Sequence, residues 1–163
     1  MAGMSLPDRF WAKVQRADDP SKCWAWTGSH TSAGYANLNL GSGNYGYAHR
    51  VSYELHHGAI PDGFEIDHIC RNRGCMNPEH LRPATRKQNN ENLSVESPNN
   101  KTSGTRGVSY DKSTRSWMTY TGHNGQRIYG PRFSNQQDAA EYSRQLRLSL
   151  FTHNDADRKT HAL

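Results

Sequence analysis

In the stretch EIDHICRNRGCMNPEHL, residues 65–81, Asp67 stands beside His68, and Asn77 and His80 follow on the far side of a short cysteine-bracketed loop. A carboxylate, an asparagine and two imidazoles in so short a run can hold a divalent cation through two side chains and leave positions open for a phosphate oxygen and water. An imidazole that does not ligate can then take a proton from the attacking water. This set suits phosphodiester hydrolysis. Adjacent residues of a strand point to opposite faces, so Asp67 and His68 divide the work, one as ligand and the other as base. Arg71 and Arg73, in the same loop, are either phosphate grips or solvated loop arginines.

Cys23, Cys70 and Cys75 are the only cysteines, and an odd number suits reduced metal ligands better than a disulfide framework. Three thiolates need a fourth ligand to close a tetrahedral zinc site. His49, in the tripeptide AHR, is the expected fourth ligand, with His30, His56 and His57 as rivals. A structural zinc would tie the N-terminal segments to the loop at 70–75 and supplement a core drawn from only 33% hydrophobic residues. Trp24 and Trp26 alternate in CWAW and read as core.

The elements that must position these groups are short. SLPDRFWAKV, from Ser5, reads as an opening helix capped by Ser5 with Pro7 in its first turn. The Gly- and Tyr-punctuated segment up to Tyr47 reads as antiparallel strands, and HRVSYELHH as a helix stopped by Gly58. GFEIDHI alternates as a strand, and Asn77-Pro78 would open a helix carrying His80. Residues 96–103, rich in Asn, Ser, Thr and Pro, read as a linker. Beyond it RGVSYD, SWMTYTGH and QRIYGPRF read as three strands, the last two joined at Asn124-Gly125. A helix capped by Ser134 follows, with a stripe of Ala139, Ser143, Leu146 and Leu150. Trp117, Tyr120 and Phe133 are the expected core of this part, and residues 153–163 read as a tail.

The expected organisation is therefore α+β: a metal-stabilised domain over 1–95, a linker over 96–103, and a three-stranded sheet plus helix over 104–152. Charge separates the two parts. Residues 1–100 hold ten Lys and Arg against ten Asp and Glu, whereas 101–163 hold ten against five, so the excess of +5 lies in the second. A cationic sheet suits DNA, and Arg106, Lys112, Arg115, Arg127 and Arg132 are its candidate contacts. No run of eighteen apolar residues occurs, so a soluble, cytoplasmic protein without a membrane partner is expected.

The succession of Asp67-His68, Asn77 and His80-Leu81 resembles the HNH motif of the ββα-metal nucleases. With CWAWTG, AHR, HHGAIPDG and CRNRGCMNPEHL around it, the sequence is similar to phage-encoded HNH endonucleases of the homing type. The resemblance implies that Asp67 and His80 hold a catalytic divalent cation such as Mg²⁺, that His68 is the general base, and that Asn77 orients His68. It implies cleavage of double-stranded DNA to a 5′-phosphate and a 3′-hydroxyl, in the cytoplasm of a bacterial host. It also supports His49 as zinc ligand. Residues 107–148 resemble the APETALA-type DNA-binding domain of plant ethylene-response factors. One catalytic centre in a monomer or weak dimer leaves nicking and double-strand cleavage both open, and phage protein partners are possible. The rival is a non-catalytic, zinc-stabilised DNA-binding regulator; an RNA-directed nuclease is a third reading.

Overall fold

A computed structural model describes residues 3–159. The chain divides into two compact units, residues 1–89 and 90–163.

In the first unit, helix α1 (Leu6–Trp11) starts where Ser5 accepts a hydrogen bond from the Asp8 backbone N–H, as its sequence predicts. It ends before Val14, which pairs instead with Trp26 in the two-stranded ladder of β1 (Val14–Gln15) and β2 (Ala25–Trp26). A hairpin of β3 (Asn37–Gly41) and β4 (Asn44–Tyr47) leads into α2 (Ala48–His57). Gly58 stops α2 with φ +92°, a conformation that favours glycine. Phe10, Trp26, Ala36, Leu38, Ala48, Val51 and Met76 close a core between these elements, with Trp24 packed against it. Phe10 is fully buried, so its truncation to alanine would cost about 3–5 kcal/mol.

Strand β5 (Glu65–His68) carries the Asp-His pair, but the segment after Asn77 is not the expected helix. Pro78–His80 makes a single 3-10 turn, and Leu81–Ala84 then runs back along β5 as β6. The register sets Asp67 opposite Arg82 and His68 opposite Leu81. A short helix, α3 (Arg86–Glu91), follows, so the site lies on a strand–strand–helix frame.

In the second unit β7 (Val108–Asp111), β8 (Ser116–His123) and β9 (Gln126–Phe133) form one antiparallel sheet. Asn124 and Gly125 turn β8 into β9, both with positive φ, as Asn-Gly predicts. Helix α4 (Gln136–Leu150) is capped by Asn135 rather than Ser134. Its buried stripe is Ala139, Ser143 and Arg147, not the leucines. The Arg147 guanidinium grips the Asp157 carboxylate at 2.6–3.0 Å, with both side chains 1% exposed. That pair fastens α5 (Asp155–Lys159), so residues 153–159 are docked instead of forming a loose tail; 160–163 lie outside the described residues. The expected linker is also folded. Glu96 bridges Thr105, and the Asn100 side-chain amide donates to the Ser103 hydroxyl and to the Thr105 and Val108 carbonyls.

Candidate metal centre and active site

Backbone pairing assembles the cysteines. An antiparallel bridge between Ala25 and Cys75, with the Met76 N–H donating to the Trp24 carbonyl at 2.9 Å, lays Cys75 alongside Cys23. Arg71, at φ +62°, and an Asn72 side chain accepting from the Gly74 N–H fold Cys70 back across the same turn. The 3-10 turn delivers His80. One ligand atom from each of Cys23, Cys70, Cys75 and His80 lies within 4.8 Å of all the others. His80 Nδ1 is 3.6 Å from Cys23 Sγ and 3.5 Å from Cys75 Sγ. A tetrahedral zinc with Zn–S about 2.3 Å and Zn–N about 2.05 Å requires sulfur–nitrogen edges of about 3.55 Å. The donor set therefore fits zinc in both chemistry and size.

Electrostatics favours a cation there too. Hydrogen bonding from Cys75 holds the Cys70 thiol down to about 5, while the same contact and burial push Cys75 well up, and burial raises Cys23. Three adjacent sulfurs cannot all ionise unaided. A bound divalent cation removes the conflict by deprotonating each thiol that it coordinates.

This arrangement differs from the expected one at two histidines. His80 belongs to the thiolate cluster and not to the expected pair with Asp67. His49 lies outside the cluster, on the buried side of α2, with its ring 4.6 Å from that of His68. The reason is topological: the Pro78–His80 turn faces the cysteine loop, whereas the first turn of α2 faces β5. Asn77 also differs from its expected role of orienting His68. Its side-chain oxygen Oδ1 accepts from the Glu79 N–H, and its side-chain amide donates to the Pro20 and Lys22 carbonyls at 2.8 and 2.9 Å. It thus anchors the segment that presents Cys23.

Asp67 and His68 are each 5% exposed. Asp67 accepts from Arg82 at 2.8 and 3.0 Å, a partner that becomes visible only once residues 81–84 are read as a strand. Burial pushes the His68 imidazole below the usual histidine range, partly opposed by Cys70, the Cys75 backbone and Asp67. Burial, with help from His68 and Arg50, takes His49 down to about 3. Both rings are therefore neutral near pH 7, the form that accepts a proton. Tyr35 stands 5.6 Å from His49 and 6.3 Å from His68, and no sequence motif marks it. The Arg73 guanidinium lies over Tyr35 at 5.0 Å and donates to the Ala33 carbonyl, while Arg71 is exposed.

The basic residues of the second unit divide into two groups. Lys112, Arg115 and Arg127 are exposed, Arg127 over the Tyr120 ring at 4.8 Å. Arg132 is tied to Asp111, Thr114 and Ser116. Arg106 is removed from the candidate DNA contacts. Its guanidinium donates to the Asn90, Glu91 and Leu93 carbonyls and packs on Phe151, holding the unit together. Tyr120 pairs with exposed Tyr129 on the face away from α4, whereas Phe133 meets Tyr142 of that helix. Tyr120 is thus a half-buried aromatic of the face away from α4 and not part of the helix-packed core.

Residues 46–91 match the family model for HNH endonuclease, and the match covers β5, the cysteine loop, β6 and α3. The gene 5.3 protein of Enterobacteria phage T3 is 53% identical over 53 residues, which cover 29% of this chain and 52% of that protein. Protein 7.7 of Escherichia phage T7 is 38% identical over 71 residues, 44% of this chain and 54% of the relative. Protein 2.8 of the same phage is 35% identical over 74 residues, 45% of this chain and 50% of the relative. The chain spans about half the length of the curated relatives it matches. No solved structure matches it. No described helix is long and apolar enough to cross a membrane.

Proposed function

We propose that the protein is a metal-dependent DNA endonuclease of the HNH type, encoded by a phage, that hydrolyses a phosphodiester bond to a 5′-phosphate and a 3′-hydroxyl. The observation that carries this reading is the HNH domain itself, whose paired strands set neutral, buried His68 beside Asp67 and next to a four-ligand cluster. Zinc on Cys23, Cys70, Cys75 and His80 braces the loop that follows His68. A catalytic cation such as Mg²⁺ commonly takes one or two protein carboxylates and completes its shell with phosphate oxygens and water, a demand that Asp67 meets as a single carboxylate. Such a cation supplies charge stabilisation at the scissile phosphate. His68 takes a proton from the attacking water. Arg73 offers its guanidinium to a phosphate, and the basic face of β8 and β9, with Arg127 and Tyr129 exposed, binds the duplex.

The ion pair between Asp67 and Arg82 favours one rival, a zinc-braced DNA-binding regulator, because an arginine already neutralises the carboxylate. Supercoiled plasmid separates the two. With Mg²⁺, the wild type converts it to open-circle or linear DNA and His68→Ala does not. DNA binding without a strand break by either protein identifies the regulator.

A further inference from the structure

The first unit has a cleft on the side of the β3–β4 hairpin, between that hairpin and α1. It has a volume of about 380 Å³ and is lined by Arg9 and Lys13 from α1 and by Asn37, Asn39 and Tyr45 from the hairpin, among others. Volumes of this order suit small-ligand sites. The register pairs Asn37 with Tyr47 and Asn39 with Tyr45 across the hairpin, and buried Leu38 between the two asparagines adds an apolar wall to the cleft.

Three features identify the occupant. Among the described residues the charge lining the cleft is cationic, with Arg9 and Lys13 and no acidic residue, which selects an anion. Among the described residues Arg9 Nε is buried without a hydrogen-bond partner, so the fold leaves part of this guanidinium's donor capacity unused. Tyr45 is 63% exposed, a planar surface beside two carboxamides. Asn39 uses its side-chain oxygen on the Gly41 N–H, which leaves its amide N–H groups to donate. An anion, a planar ring and base-edge acceptors together describe a nucleotide.

A run of ring contacts leads from the same hairpin to His68. Tyr47 follows Tyr45 on the same face, stacks at 5.5 Å from His49, and His49 lies 4.6 Å from His68. Two strand residues advance about 6.8 Å, close to two base steps of DNA.

We propose that this cleft is a nucleotide subsite for the DNA strand flanking the cleaved bond. Arg9 and Lys13 take a phosphate, Tyr45 packs on the sugar or base, and Asn37 and Asn39 meet the base edge. The assignment rests on the nuclease reading and adds to it a determinant of cut-site preference outside residues 46–91 for Arg9, Lys13, Asn37, Asn39 and Tyr45.

The test is a salt titration of duplex binding by the full chain without Mg²⁺, together with sequencing of ends cut in its presence. Arg9→Gln with Lys13→Gln lowers the steepness of log K against log salt by about 1.8, the share of two phosphate contacts. The charge-conserving pair Arg9→Lys with Lys13→Arg keeps the wild-type slope. Asn37→Ala with Asn39→Ala keeps that slope and flattens base preference at one position beside the cut. If the wild type cuts DNA but the glutamine pair keeps its slope and the alanine pair keeps its cut profile, the subsite is refuted while the nuclease stands. A wild type that neither binds nor cuts DNA overturns both.

Discussion

Replacing His80 by alanine removes one of the four donors assembled around the cysteine loop and so tests which imidazole completes the metal site. The sulfur–nitrogen distances of 3.5 and 3.6 Å already match a tetrahedral centre, so little rearrangement offsets the native ligand's contribution. Structural zinc is bound with an apparent free energy of about 10–16 kcal/mol, or about 2.5–4 kcal/mol for each of four ligands. Loss of His80 is therefore expected to weaken zinc binding on the order of 10²–10³-fold. His49→Ala, which touches His68 and not the thiols, is expected to leave zinc affinity nearly unchanged. Competition against a chromophoric chelator at neutral pH measures both, and metal analysis gives the zinc content per chain. The melting temperature should then depend on free zinc at lower concentrations in the wild type than in His80→Ala, because a ligand stabilises only as its concentration exceeds Kd. Tight zinc binding in His80→Ala together with its loss in His49→Ala would refute the assignment.

Two further outcomes follow from buried charge. His49 falls from the ordinary 6.5 to about 3 on folding, so below pH 6.5 the unfolded chain binds a proton that the folded chain refuses, and stability declines as pH falls. Between pH 6.5 and 5, urea unfolding should show the wild type losing about 1.6 kcal/mol more than His49→Gln; equal pH dependence in the two proteins would contradict burial of a neutral imidazole. Asp157→Ala leaves the Arg147 guanidinium buried without its carboxylate, at an expected cost of about 3–5 kcal/mol in unfolding free energy. A change within a few tenths of a kcal/mol would show that α5 is not fastened by this pair.

The chemistry was more legible in the sequence than the geometry that sorts it. Cys23, Cys70 and Cys75 pointed to a shared cluster because their number and type left few other uses, and the alternation around Asp67-His68 pointed to a strand end. The choice between His49 and His80 was not legible, since it depends on which way a three-residue turn faces. Pro78 suits a helix start and a 3-10 turn alike, and only the pairing of Leu81–Ala84 with Glu65–His68 decides between them. A proline at position 83 argues against a strand, yet β6 is an edge strand where a missing N–H costs nothing to the ladder. In the second unit the Asn-Gly turn and alternating strands were readable. Arg147 was not: hydropathy places arginine outside, and its burial depends on Asp157 ten residues later, in a segment with tail-like composition. Arg106 misled for the opposite reason, because carbonyl groups that need a donor do not appear in a sequence. Tyr120 was misplaced because it lies three residues from Trp117 on one strand, and alternation sends the two side chains to opposite faces.

The most direct test of the account is the chemistry of the ends it leaves. Plasmid nicked by the wild type with Mg²⁺ should be resealed by a DNA ligase, which requires a 5′-phosphate beside a 3′-hydroxyl, while His68→Ala with full zinc content and unchanged melting leaves the plasmid supercoiled. Nicks that resist ligation, or cleavage by His68→Ala at the wild-type rate, would contradict hydrolysis by water activated at His68.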